Sequence, residues 1–177
     1  MENYWWNTFY SDSLRQWFRD NIDGLAEAQP DAYEFSLALA ELLDLEVAQT
    51  FGVSAITEIS TYCTSIVARN LDDEITHVRN LDFGYTDVMK ELVYDAQMYK
   101  DGELKASSPS IAGFYGAFTG QKSGIFSVSY DVREREEGPT TRVIMGNLQR
   151  NLDAKRVNQA YAIQEVLLHA NTYEEAI

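Results

Sequence analysis

Three consecutive segments decide the fold: Cys-Thr-Ser-Ile-Val-Ala at 63–68, Arg-Asn-Leu-Asp-Asp at 69–73 and Ile-Thr-His-Val-Arg at 75–79. The first and last are rich in β-branched residues and the middle one is typical of a turn, so the pattern predicts an antiparallel hairpin. Opposed residues in such a pair have a constant index sum. A turn centred on Leu71 would therefore place Cys63 opposite Arg79 on one sheet face, whereas a slip of one residue would send Arg79 to the other face.

Two more hairpins are expected further along, with strands at about 91–99 and 103–108 and at 111–118 and 125–130. Asp101 and Gly102 suit a tight primed turn in the first of these. The glycine-containing stretch 120–124 would join the strands of the second. The charged stretch 133–139 predicts an exposed loop.

Helical periodicity precedes and follows this strand-rich part. Helices are expected over about 14–25, 31–43, 45–59, 141–151 and 156–169. Asp31, with Glu34 three residues later, predicts the N-cap of the second helix. Thr172 and Glu175 form a capping-box pattern, yet the sequence stops at Ile177. Because so short a helix is not stable alone, we expect the chain to be cut off inside a larger fold.

Composition bounds the function before any motif is considered. The chain has 177 residues, which suits one domain or slightly more, and its net charge of −14 makes nucleic-acid binding unfavourable. Its hydrophobic content of 45% implies a real core. No apolar run is long enough to span a membrane. One cysteine excludes an intramolecular disulfide.

Two histidines are candidates for chemistry, but their surroundings favour structural roles. His77 lies in a predicted strand, and His169 lies near the end of a predicted helix, where it complements the helix dipole. With a single cysteine they cannot make a zinc site unless distant carboxylates complete it. Nucleophile-elbow, phosphate-loop and dinucleotide-binding motifs are absent from the sequence. We therefore expect no metal and no cofactor.

Cys63 has two interpretations. By residue type it is a small buried hydrophobe on a core strand. The predicted hairpin favours a second interpretation, because Arg79 would lie beside the thiol and Asp82 would follow at the strand end. A cysteine, an arginine and a carboxylate in one place can stabilise a thiolate and bind an amine.

Three segments together resemble the acid ceramidase and N-acylethanolamine acid amidase family: 63–68, Arg-Asn-Leu-Asp-Phe at 79–83, and Gly-Phe-Tyr-Gly-x-x-Thr-Gly at 113–120. Its members are N-terminal-nucleophile cysteine hydrolases, related more distantly to penicillin V acylases and bile salt hydrolases. The resemblance runs from about Asp31 to the end of the sequence and is most specific in 62–83.

The resemblance implies an α+β fold, a four-layer αββα sandwich made as a precursor, of which this chain would hold part. Cleavage of the Tyr62–Cys63 bond would give a helical chain, 1–62, and a catalytic chain, 63–177, the N-terminal part of the family's larger β-chain. The Cys63 thiolate would attack an amide carbonyl, with its own α-amine as base. By carry-over, Asp82 would bond that amine and Arg79 would orient the nucleophile and the substrate's polar head.

The resemblance also indicates substrate-binding positions. Asp131 would line the headgroup pocket, although Val132 replaces an acid there and Val78 replaces the glycine before the Arg-Asn pair. Gly113 and Gly116 would allow close approach of an acyl chain, or else relieve crowding in a twisted sheet. The family's oxyanion-hole asparagine and a second active-site arginine would lie beyond Ile177, which leaves the activity of these 177 residues by themselves open.

The expected partner is an N-acyl amide lipid of ceramide or N-acylethanolamine type. Alternatives are a non-catalytic relative that binds lipid or a protein, and an amidase of bile-salt or penicillin acylase type. The aromatic N-terminus, which contains Trp5, Trp6, Phe9, Tyr10, Trp17 and Phe18, would pack on the body or contact a membrane surface. The family's location is lysosomal, but the sequence has no visible signal peptide or glycosylation sequon, so a cytoplasmic location stays open.

Overall fold

A computed structural model of the chain describes residues 4–55, 62–82, 86–131 and 141–177. Its helices are α1 (Tyr4–Phe9), α2 (Asp12–Ala28), α3 (Pro30–Leu43), α4 (Val47–Ser54), α5 (Thr86–Met89), α6 (Thr141–Arg150), α7 (Gln159–His169) and α8 (Tyr173–Ala176). Its strands are β1 (Tyr62–Arg69), β2 (Ile75–Asp82), β3 (Val93–Lys100), β4 (Glu103–Ile111), β5 (Thr119–Lys122) and β6 (Phe126–Ser129). None of the described helices is both long enough and apolar enough to span a membrane.

The chain forms two compact units. The first contains Met1–Ile59, Gly113–Tyr115 and Thr140–Val157, and the second contains Ser60–Ala112, Gly116–Pro139 and Asn158–Ile177. The predicted division into 1–62 and 63–177 is a cleavage boundary and not a packing boundary, so it stays a prediction. The expected exposed loop at 133–139 and residues 56–59, the end of the third expected helix, lie outside the described residues.

An aromatic cluster forms the core of the first unit. Trp6, Tyr10 and Phe18 are each at most 1% exposed, and their ring centroids lie 5.1–5.8 Å apart. The Tyr10 hydroxyl donates to the carbonyl of Gly52. A Cβ at Gly52 would lie 2.5 Å from the Trp6 ring, which explains the glycine inside α4. These three aromatic residues therefore pack inside the unit, while the side chains of Trp5 and Phe9 lie outside the described set.

The starts of α2 and α3 differ in how they are capped. Ser11 caps α2 by accepting from the amide of Leu14. The predicted Asp31 cap of α3 is wrong, because the helix begins one residue earlier, at Pro30. Proline suits the first helical position, where its fixed φ is favourable and its missing N–H would have no partner. The structure thus places Asp31 inside the first turn.

The second unit contains a two-stranded sheet, β1–β2, and a four-stranded antiparallel sheet in the order β3–β4–β5–β6. Asp101 and Gly102 have φ of 52° and 79°, as the predicted primed turn requires. Helix α7 packs on one face of the larger sheet, where Leu167 contacts a cluster that includes Ala106. The opposite face carries alternating polar residues of β5 and β6, among them Ser127 and Ser129.

The third predicted hairpin is present, but its first strand is displaced. Residues 112–118 are not a strand, and pairing starts at Thr119, opposite Ser129. Gly113 and Gly116 have φ of +86° and +113°, which are incompatible with an extended strand. Two such residues in seven therefore turn 112–118 into a loop, and the turn itself falls around Gly124.

Lys122 at the end of β5 is buried, and its ammonium donates a hydrogen bond to the carbonyl oxygen of Ala170, the C-cap residue of α7. Burial lowers its pKa below 10.5. Between the folded pKa and 10.5 only the unfolded state keeps the proton, so the free energy of unfolding should rise with pH across that interval. We expect Lys122→Met to remove this rise in urea titrations, and the exposed control Lys155→Met to keep it. An equal rise in both variants would contradict the assignment.

Candidate active site

The β1–β2 hairpin has a different register from the predicted one, yet it keeps the predicted contact. Cys63 pairs with Leu81, and Arg79 pairs with Ser65, so the index sum is 144 and not 142. A shift of two residues preserves the face on which every side chain lies, whereas a shift of one would not. Arg79 therefore lies diagonally across from Cys63 on the same face of the hairpin.

The guanidinium of Arg79 joins the thiol to the end of β6. Its Nη2 donates to Cys63 Sγ at 2.9 Å and to the carbonyl of Tyr130 at 2.6 Å. Its Nε lies 3.3 Å from Asp131 Oδ1, and its carbon lies 5.7 Å from the centre of the Phe118 ring. The Arg79 side chain is only 7% exposed, so these bonds replace the water that the cation gives up. Cys63 is half-buried, and its sulfur has a charged donor in contact.

Asp82 lies at the end of β2, directly opposite Tyr62 in the ladder. Its Oδ1 accepts from Asn80 Nδ2 at 2.6 Å, and the side chain is on the exposed face of the hairpin. The Tyr62–Cys63 peptide bond is part of β1, and the Tyr62 side chain lies outside the described set. Asp82 is thus the ladder partner of the residue before the predicted cleavage. Its side chain, however, lies on the face opposite Cys63 and Arg79, so the structure does not bring the three predicted residues together on one face.

Asp131 was predicted to bind substrate, and its closest described partner is Arg79. The carboxylate is 35% exposed, so it can still contact a ligand from solvent. Sequence alone did not join these two residues because 52 positions separate them. The headgroup role of Asp131 stays a prediction.

The two predicted glycines lie in different places and do not join the Cys63 cluster. A Cβ at Gly113 would lie 3.6 Å from Leu39 of α3, within the first unit. A Cβ at Gly116 would lie 2.9 Å from the Cβ of Ala160 and 3.0 Å from its backbone. The packing interpretation accounts for Gly116 because α7 occupies the space beside it. A role for either glycine in acyl-chain contact stays a prediction.

His77, for which the sequence analysis expects only a structural role, lies two residues before Arg79 on the same face of β2. Its Nδ1 lies 2.8 Å from Ser127 Oγ, and its Nε2 lies 3.2 Å from Ser129 Oγ. Ser129 Oγ also lies 2.8 Å from Ser65 Oγ on β1. The available signal was the pair of i, i+2 patterns, His-x-Arg on β2 and Ser-x-Ser on β6, which each place two side chains on one face.

A cleft of about 840 Å³ lies within the second unit and borders the hairpin. Arg79 and His77 line it from β2, Thr119 lines it from the start of β5, and Phe118 lines it from the loop before that strand. Thr119 Oγ1 is buried without a hydrogen-bond partner among the described residues. His169 lies elsewhere, with Glu165 and Lys100. No group of three potential metal ligands occurs in the part of the chain that the structure describes.

The chain is similar in sequence to N-acylethanolamine-hydrolyzing acid amidases and to acid ceramidases. The chain is 34% identical over 129 residues to the N-acylethanolamine-hydrolyzing acid amidase of Cavia porcellus, a match covering 70% of the chain and 36% of that protein. It is 27% identical over 186 residues to the acid ceramidase of Homo sapiens, covering 96% of the chain and 46% of the ceramidase. The solved Caenorhabditis elegans N-acylethanolamine-hydrolyzing acid amidase ortholog matches with a TM-score of 0.53 and 32% identity, over 63% of this chain and 46% of that one. No protein-family model matches the chain.

Helices that precede antiparallel strands, together with this structural match, define an N-terminal-nucleophile hydrolase fold, and the expected α+β class is confirmed. The sequence comparison and the structure comparison both match this chain to N-acylethanolamine-hydrolyzing acid amidases. The resemblance to the acid ceramidase and N-acylethanolamine acid amidase family is confirmed. It spans between about a third and a half of the length of the relatives it matches.

Proposed function

We propose that the protein hydrolyses N-acyl amide lipids with Cys63 as an N-terminal nucleophile. The observation that carries the proposal is the 2.9 Å contact between Arg79 Nη2 and Cys63 Sγ. The buried guanidinium that contacts the thiol is itself held by Tyr130 and Asp131, so the sulfur has a fixed, charged hydrogen-bond donor beside it. A merely structural cysteine needs no such donor.

The first step in this proposal is self-cleavage. The Cys63 thiol attacks the carbonyl carbon of Tyr62, and the peptide nitrogen leaves as the α-amine of Cys63. Water then hydrolyses the thioester that joins Tyr62 to the Cys63 sulfur. Two chains result, one ending at Tyr62 and one beginning at Cys63. Asp82 is the ladder partner of Tyr62, which supports its carboxylate as the group that binds the new amine.

In each catalytic cycle the α-amine would take the thiol proton and the thiolate would attack the amide carbonyl of the substrate. The C–N bond then breaks, and the amine leaves with that proton. The acyl group stays on sulfur as a thioester until water releases it as a carboxylic acid and restores the thiol. Arg79 stabilises the thiolate before attack and the leaving thiolate after it.

The substrate class follows from the relatives, which are named for hydrolysis of N-acylethanolamines and for ceramidase activity. Both kinds of substrate are N-acyl amides, and we extend that class to this protein. Both names also include the word acid, so we place the working pH on the acid side of neutrality and the location in the lysosome. The cleft beside Arg79 offers space for one arm of such a substrate.

Replacing the nucleophile should abolish turnover. We expect the Cys63→Ala protein to release no fatty acid from N-palmitoylethanolamine or from a short-chain ceramide, because the thioester cannot form. In the unaltered protein, brief exposure to substrate followed by acid quench should show an acyl adduct on Cys63 by peptide mass spectrometry. Hydroxylamine should remove that adduct, as it does from a thioester.

The control variant is Thr76→Val, on the exposed face of β2. It should keep the rate of the unaltered protein. Hydrolysis that survives Cys63→Ala would contradict the proposed mechanism. A protein that binds these lipids but forms no adduct would favour the alternative of a non-catalytic lipid-binding relative.

A further inference from the structure

We propose that His77 is a positioning residue for the Cys63–Arg79 pair, acting through a hydrogen-bonded network with Ser65, Ser127 and Ser129. This inference rests on the proposed function, because it concerns the same thiol and guanidinium. The serine–histidine network, as these four residues are called below, connects β1, β2 and β6.

The serine–histidine network and the Arg79 contacts lie next to each other, and both join the β1–β2 hairpin to β6 and the residues that follow it. Ser65 is the ladder partner of Arg79, and His77 precedes Arg79 by two residues on the same face. Ser65 reaches Ser129 at 2.8 Å, and Arg79 reaches the carbonyl of the next residue, Tyr130, at 2.6 Å. His77 therefore fixes β2 against β6 one row before the arginine that contacts the thiol.

The chemistry of the interface explains why this fixing matters. Facing sheets usually pack through interdigitated apolar side chains, which tolerate small sliding movements because the hydrophobic effect has no direction. Here hydroxyl and imidazole groups provide the contacts. A displacement of the β1–β2 hairpin by one residue along β6, about 3.3 Å, would break all three bonds of the network at once. Directional bonds thus select one position of β2, and with it one position of Arg79.

His77 does not act as the base for the thiol in this account. Both of its ring nitrogens already have serine partners, at 2.8 Å and 3.2 Å. The imidazole can satisfy two hydroxyl groups from one strand, whereas a shorter polar side chain would reach only one of them. Its effect on Cys63 must therefore pass through the placement of Arg79.

The test uses the fact that Cys63 is the only cysteine, so its alkylation can be followed without interference. A variant with His77→Leu, Ser127→Ala and Ser129→Ala replaces both partners of each histidine–serine bond and leaves only the half-buried Ser65 hydroxyl without Ser129, and a change of that kind is often tolerated by the fold. We expect its iodoacetamide reaction at neutral pH to slow toward the rate of Arg79→Gln, by about 10-fold. Adding Arg79→Gln to this variant should then slow the reaction by less than about twofold, because coupled residues are not additive.

Thr76→Leu, on the exposed face of the same strand, is the matched control and should react at the unaltered rate. The melting temperature of the triple variant should match that of this control. If the triple variant does not fold, Ser129→Ala alone removes the shared hydroxyl and gives the same comparison. Alkylation at the unaltered rate, or effects of the network and Arg79 that multiply, would overturn the inference.

The proposed function can fail separately. If the unaltered protein hydrolyses no acyl amide while the network variants still slow alkylation, the positioning role stands and the proposed reaction does not. If hydrolysis proceeds and the network variants keep both the alkylation rate and kcat, the reaction stands and the positioning role is wrong. A loss in kcat with KM unchanged is the kinetic result expected for the network variants.

Discussion

Arg79→Gln is expected to lower the rate of acyl amide hydrolysis by about 10²–10³-fold, the usual effect of removing one preorganised donor from a reacting group. Glutamine cannot hold the thiol, the Tyr130 carbonyl and Asp131 together, as the guanidinium does with bonds of 2.6–3.3 Å. It also carries no charge to stabilise a thiolate. The loss should appear in kcat for the acylation step, measured by single-turnover release of the amine.

Arg69→Gln is the matched control, because Arg69 lies at the other end of the same hairpin and forms an exposed pair with Asp73. Its removal should leave the rate unchanged, since exposed pairs contribute little. Arg79→Lys should behave more like Arg79→Gln than like the unaltered protein, because an ammonium lacks the planar fork. Equal rates of hydrolysis for Arg79→Gln and Arg69→Gln would show that the Arg79 guanidinium has no part in the mechanism.

Gly116→Ala is expected to destabilise the fold by about 2–6 kcal/mol, the sum of the usual ranges for backbone strain and overpacking. Its φ of +113° is rarely adopted by residues with a side chain, and the added Cβ would lie 2.9–3.1 Å from Ala160, including backbone atoms that cannot move aside. The amide of Ala117 also donates to the Ala160 carbonyl at 2.9 Å, which holds the loop against α7. Urea denaturation measures the loss directly.

Gly124→Ala is a control that introduces the backbone strain of a positive φ without the close contacts that Gly116→Ala also introduces. Gly124 has a φ of +72°, but a Cβ there would meet nothing within 4 Å. We expect a cost of about 1–2 kcal/mol, the ordinary cost of a left-handed conformation. If both variants lost the same stability, the contact with α7 would not explain Gly116, and a role beside the acyl chain would regain weight.

The hairpin around Cys63 could be predicted from sequence because its signal is local. Two β-branched segments flank a polar turn, and alternation assigns each side chain to a face. The exact register could not be predicted, because it depends on where the turn closes between Asn70 and Glu74. The contact between Cys63 and Arg79 survived this error only because the shift was even.

Features that depend on distant parts of the chain escaped prediction. Nothing near Asp131 in the sequence indicates that it pairs with Arg79. Nothing near His77 indicates that its ring forms hydrogen bonds with two serines of β6. The displaced start of β5 has a different cause. The segment 111–118 has the composition of a strand, but Gly113 and Gly116 have positive φ values, which only the three-dimensional structure shows.

Intact mass analysis of the purified protein tests most directly whether Cys63 becomes the first residue of a chain. The account predicts one chain that ends at Tyr62 and another that begins with the free amine of Cys63, and it predicts a single uncut chain for Cys63→Ala. A fully active protein in which the bond between residues 62 and 63 stays intact would contradict it.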